Sequence, residues 1–139
     1  MTNVSLAQSY LIKAGKRLKI LAILLADGAF SDVVREAQEV VELALKGMLR
    51  QVGIEPPKWH DVGSHLQEFA ERFPVDVRPE LDRLAAISGW LRKEREFAFY
   101  GDIDFIPTEE YTAGDAQRAI DDATVVVTVA RRVVPPASD

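Results

Sequence analysis

Apolar residues recur along this chain at helical spacing. Ala7, Leu11, Ala14, Leu18, Leu21 and Leu25 follow one another by steps of four and three. That repeat puts them on one face of a helix over about residues 6–25. Ile12, Ile20, Ile23 and Leu24 add apolar surface outside the seam, and Asp27-Gly28 supplies a stop. A second seam runs from Val33 and Val34 through Ala37, Val40, Val41, Ala44, Leu45, Met48 and Leu49 to Val52. Ser31 reads as its cap and Asp32 suits the positive end of its dipole, while Gly53 closes it. Pro56-Pro57 forces an extended connection.

The pattern then shortens. Asp61 or Ser64 reads as the cap of a brief third helix carrying Leu66, Phe69 and Ala70, which ends before Pro74. A fourth helix is predicted from near Pro79, with Leu81, Leu84, Ser88 and Leu91 as its seam and Gly101 as its end. Residues 102–111 read as a loop. Thr112 and Asp115 then form a capping-box pattern. The last segment is contested. Val125, Val126, Val127, Thr128 and Val129 are β-branched and favour strand. Ala116, Ala119, Ile120, Ala123, Val126, Val127, Ala130 and Val134 nonetheless keep helical spacing, so the segment is predicted helical. The expectation is an all-α, up-and-down bundle of about five helices, four long and one short. It forms a single domain over 1–139, with a core at about 6–134 and a polar tail at 135–139.

Composition narrows the chemistry. The 139 residues include no cysteine, which excludes disulfides, thiolate metal sites and cysteine nucleophiles. Seventeen basic residues face 22 acidic ones, for a net charge of -5. A broadly cationic surface for nucleic acid is therefore excluded, and any such contact must be local. Residues 1–20 carry Lys13, Lys16, Arg17 and Lys19 and no acid, so the first helix has a basic outer face. No signal-type segment is evident, and the longest apolar run, Ile20 to Ala26, is too short to span a membrane. The expectation is a cytoplasmic protein without membrane contact.

Few residues carry candidate chemistry. The glycines do not form a phosphate loop. His60 and His65 are five apart, which misses the offset that places two ligands on one helical face, so no metal and no cofactor is expected. Glu42 and Lys46 sit four apart at the border of an apolar face. One further step along the fourth seam lands on Arg95, with Arg92 a turn behind. A cation on that inward line needs a carboxylate or a cleft. Phe97, Phe99, Tyr100 and Asp102 follow. Arginines beside aromatic rings can hold a phosphate and a base together. The alternative is an ion pair from Arg95 to Glu42 or Asp102, with the rings in the core. The acidic loop at 102–110 lacks the pattern of a calcium hand and reads as solvated.

Several of these segments, in this order, resemble the HEPN domain family. Ala37 to Leu49, AQEVVELALKGML, is similar to the family's second helix, with Glu42 and Lys46 at its recurring charged positions. His60-Asp61-Val62 resembles its His-Asp element. Arg95 to Asp102, REFAFYGD, and Tyr111 to Ala123, YTAGDAQRAIDDA, resemble one prokaryotic branch. The resemblance implies a helical bundle, usually dimeric, with a cleft linked to nucleotide or RNA binding. It also implies a small nucleotidyltransferase partner, often within a toxin–antitoxin pair. Many members are RNases with an arginine followed four to six residues later by a histidine. Here Arg95 is followed five positions on by Tyr100, and neither histidine has an arginine at that distance upstream. A phenol is a far weaker base at neutral pH than an imidazole.

The reading that follows is a non-catalytic nucleotide- or RNA-binding module acting as a homodimer. Arg92, Arg95, Tyr100, His60 and Lys46 would bind, supported by Glu42, Asp61, Phe99 and Asp102. The alternatives are an RNase toxin with a divergent site and a purely structural partner subunit. The apolar surplus of the first helix independently favours a dimer, because a bundle buries one stripe per helix.

Overall fold

The computed structural model describes residues 5–58 and 61–137. Four long helices carry the bundle: α1 (Leu6–Ala26), α2 (Phe30–Gln51), α4 (Leu81–Phe99) and α6 (Ala113–Val133). The short α3 (Val62–Glu68) and the single-turn α5 (Pro107–Glu110) lie in the connections, and two 3-10 turns join α3 to α4. No strand occurs among the described residues. The fold is therefore the all-α bundle that the spacing predicts. One turn of helix, opened by Pro107, replaces part of the expected 102–111 loop.

Helix α2 is the hub and packs against α1, α4 and α6. Its sequence explains this role. Val33, Val34, Ala37, Val40, Val41, Ala44, Leu45, Met48 and Leu49 are all buried, forming a stripe wide enough for three neighbours. Gly47 lets α1 approach, since a Cβ there would sit 3.2 Å from the Ala7 carbonyl oxygen. Gly28, at φ 74°, makes the left-handed turn between α1 and α2.

The predicted caps divide. Ser5 with Gln8 and Thr112 with Asp115 form capping boxes at α1 and α6, and the Asp61 side chain accepts from Gly63 N at 3.0 Å at the start of α3. Ser31 does not cap α2. That helix begins a residue earlier, at Phe30, and Ser31 is buried within its first turn. Helix α4 begins at Leu81, because the proline at 79 belongs to a preceding 3-10 turn.

The valine-rich end of α6 is helical. Ala123, Val126, Val127 and Ala130 are buried together, and Thr124 and Thr128 donate to the carbonyls four residues back at 2.7 and 2.8 Å. Burial of one face overrides the β-propensity, and the hydroxyls on the other are satisfied within the helix. None of the described helices is long and apolar enough to cross a membrane.

Candidate functional site

Along α2, Arg35, Glu39, Glu42 and Lys46 recur at spacings of four, three and four. This charged stripe borders the apolar face and meets α4, which brings Arg92 and Arg95 one turn apart. Glu42 takes two cations, Lys46 Nζ at 3.2 Å and Arg92 Nη1 at 3.3 Å. Glu39 Oε1 lies 3.4 Å from Arg95 Nη2 and 3.9 Å from Arg35 Nη1. Glu36 holds Arg35 at 3.1 Å and Arg17 of α1 at 3.3 Å. Three glutamates of one helix thus hold guanidinium groups from three helices.

Those cations frame an open cleft. Arg35, Arg92, Arg95, Glu96, Phe99 and Tyr100 enclose about 380 Å3. Three arginines and one glutamate line it, and each of the arginines is also held by a glutamate of α2. The Arg35 guanidinium stacks on Phe99, 4.7 Å from the ring centroid, and Phe99 meets Tyr100 edge-on at 4.8 Å. A stacked guanidinium keeps its edge available to a second partner. Phe99 and Tyr100 are 50% and 76% exposed, so these rings are not core. A second groove of about 410 Å3, lined by Arg17, Ile20, Leu24 and Glu36 among others, shares Arg35 and Phe99 with the first.

Geometry sorts the sequence candidates. Arg92, Arg95, Phe99 and Tyr100 come together. Arg95 pairs with Glu39, not with Glu42 or Asp102, and its side chain is half exposed. The buried line of α4 runs on from Leu91 to Ala98, two turns apart, and Arg95 lies to one side of it. Lys46 reaches the cleft only through Glu42. Asp61 caps α3 and accepts from Ser88 Oγ of α4 at 3.2 Å, away from the cleft. Asp102 closes a turn, pairing its backbone with Phe105 and accepting from Ile103 N. Phe97 meets Phe105 edge-on and does not line the cleft. His60 lies outside the described residues. His65 packs on Phe69, with ring centroids 6.2 Å apart. No cluster of three metal-ligating side chains occurs among the described residues.

Sequence reasoning missed Arg35. Its signal was present, because it opens the same charged stripe that contains Glu42 and Lys46. It also missed Tyr111, whose hydroxyl donates to Glu94 of α4 at 2.8 Å. Burial, followed by that hydrogen bond and the negative charges of Glu94 and Asp115, pushes the phenol well above its ordinary range. This contact, with the Phe105–Tyr111 ring pair, ties the 101–111 connection to the back of the helix that carries Arg92 and Arg95.

A helical bundle with a small arginine-lined cleft at the α2–α4 border is the class these observations define. The family model described as HEPN domain matches residues 7–133. The chain belongs to the HEPN domain family. Among solved structures it is similar to ST0689, an archaeal HEPN homologue. The TM-score is 0.70 at 21% identity, over 93% of this chain and 98% of that one. It is also similar to TT1696 from Thermus thermophilus. There the TM-score is 0.72 at 21% identity, over 94% of this chain and 100% of the other. No curated protein matches the sequence.

Proposed function

We propose that this protein is a non-catalytic HEPN-type module that binds a nucleotide or a short stretch of RNA in the cleft between α2 and α4. The observation that carries this reading is the grouping of Arg35, Arg92 and Arg95 with two exposed rings, Phe99 and Tyr100, around one opening. The guanidinium groups supply bidentate donors for phosphate, and the rings supply faces on which a base stacks. Tyr100 stands where the ribonuclease members of the family carry histidine, which favours binding over cleavage.

The module acts as a homodimer. Ile20 and Ile23 stand 44% and 68% exposed on α1, and a second copy would cover them. It works in the cytoplasm beside a small nucleotidyltransferase, in the manner of a toxin–antitoxin pair. Calorimetry of the full chain with AMP, ATP and a short single-stranded RNA tests the cleft. Saturable binding that Arg95→Ala weakens at least tenfold is expected, and no binding at millimolar ligand overturns the reading. Cleavage of the RNA, with growth arrest on overexpression, would replace it with an RNase toxin. Light scattering that returned the 15.5 kDa mass of one chain would remove the dimer.

A further inference from the structure

The C-terminal end of α6 and the first turns of α1 enclose a third, separate pocket. Its volume is about 350 Å3, at the small end of the range for ligand sites. It shares no residue with the arginine cleft. Leu11 and Ile12 form one wall, and Val134, Pro135 and Pro136 form the other. The tail that makes this second wall is fastened in place. Gln8 Nε2 donates to the carbonyl oxygens of Pro135 and Pro136 at 3.1 and 3.2 Å.

One cation lines this apolar space. Arg131 has no hydrogen bond, ion pair or ring contact among the described residues. Its neighbour Arg132 is by contrast committed to Asp76, 3.0 Å away. Gly15 makes room for Arg131, since a Cβ there would lie 2.8 Å from the Arg131 Nη2. The guanidinium therefore rests on the bare backbone of α1 at the edge of an apolar pocket. A partner that matches both features has an apolar body and a single carboxylate.

We propose that this pocket binds a small apolar carboxylate, with the carboxylate on Arg131 and the body between Leu11, Ile12 and the proline wall. Arginine and carboxylate form two parallel hydrogen bonds, and the apolar walls add affinity by excluding water. The site is independent of the cleft, so its failure leaves the nucleotide reading untouched.

Titrating the full chain with decanoate tests the proposal, with 1-decanol and inorganic phosphate as separate arms. Decanoate is expected to saturate one site per chain, with decanol and phosphate each at least tenfold weaker. Arg131→Gln should lower decanoate affinity by roughly tenfold or more, the loss expected for a charged hydrogen-bonding partner. Gly15→Ala, which crowds the guanidinium without removing it, should also lower it. Amide shifts in a nitrogen-15 spectrum should centre on Leu11, Ile12 and Val134. The proposal is overturned if decanoate does not saturate by about 1 mM, if decanol binds as well, or if both variants bind normally. Shifts that centre elsewhere overturn it too.

Discussion

The carboxylate of Glu39 meets the guanidinium of Arg95 at 3.4 Å across the junction of α2 and α4. The same oxygen lies 3.9 Å from Arg35. Glu39 thus neutralises two of the three arginines that line the cleft, and an incoming phosphate must compete with it. Both side chains are partly exposed, so the pair contributes less than about 1 kcal/mol. Glu39→Gln is expected to leave stability within about 1 kcal/mol and to tighten AMP binding about two- to fivefold. Denaturation and calorimetry on the one variant read both quantities. Weaker binding would mean that Glu39 holds the arginines in a productive position.

Phe99 and Arg95 should fail in different ways. Phe99→Leu removes a stacking face and the platform under Arg35, and should lower RNA affinity by about 1–3 kcal/mol. The loss should be nearly the same for purine and pyrimidine strands, because every base has a face to stack. Arg95→Ala should also weaken binding, and should flatten its salt dependence. On a single strand, the slope of log affinity against log salt is expected to fall by roughly 0.7 for each phosphate left without its cation. Titrations at three salt concentrations separate the two. A Phe99→Leu slope that drops as far as that of Arg95→Ala would mean that the ring acts only by placing Arg35.

The long helices were legible because each keeps its apolar spacing over several turns, even through the β-branched end of α6. The limits were not, since they depend on neighbours. Ser31 has the chemistry of a cap, yet the turn at Gly28 lets the chain become helical before it. The site was half legible. Arg92 and Arg95 stand out on α4 because they fall at the end of a seam. Their partners lie on another helix, about fifty residues away, and no local pattern assigns Glu39 to Arg95 instead of Glu42. Arg35 is one more cation on a solvated edge until Phe99 is folded against it.

Tyr111 sets an alkaline limit on the 101–111 connection. Its folded-state pKa is raised above the unfolded value of 10.0, by burial first and then by Glu94. The stabilising effect of the neutral phenol is therefore complete below pH 10.0 and fades as pH climbs from there toward the raised folded value. Above pH 10.0 the unfolded chain releases a proton that the folded chain keeps, so unfolding becomes easier. Tyr111→Phe removes this group. The variant is expected to be less stable at neutral pH, because it cannot donate to Glu94, and to lose less further stability between about pH 9 and 11. Urea denaturation across that range checks it. Parallel pH profiles for the two proteins would contradict the assignment.

Gly63 and Gly89 give the same substitution opposite signs. A Cβ at Gly63 would sit 2.9 Å from the Ala85 Cα and 3.2 Å from its carbonyl oxygen. Both contacts are backbone, so α3 must withdraw from α4, and the Asp61 bond to Ser88 is strained with it. Gly63→Ala is expected to cost about 1–3 kcal/mol, as overpacking does. Gly89 lies within α4 and nothing stands within 4 Å of its added Cβ. Gly89→Ala is expected to stabilise the protein by roughly 0.5–1 kcal/mol, since alanine loses less backbone entropy in a helix. Thermal denaturation of the two variants decides the matter. A Gly63→Ala protein as stable as the parent would mean that α3 is not seated against α4 at Ala85. The support for the helix that carries Arg92 and Arg95 would then have to come from α2, from α6 and from the Tyr111–Glu94 contact.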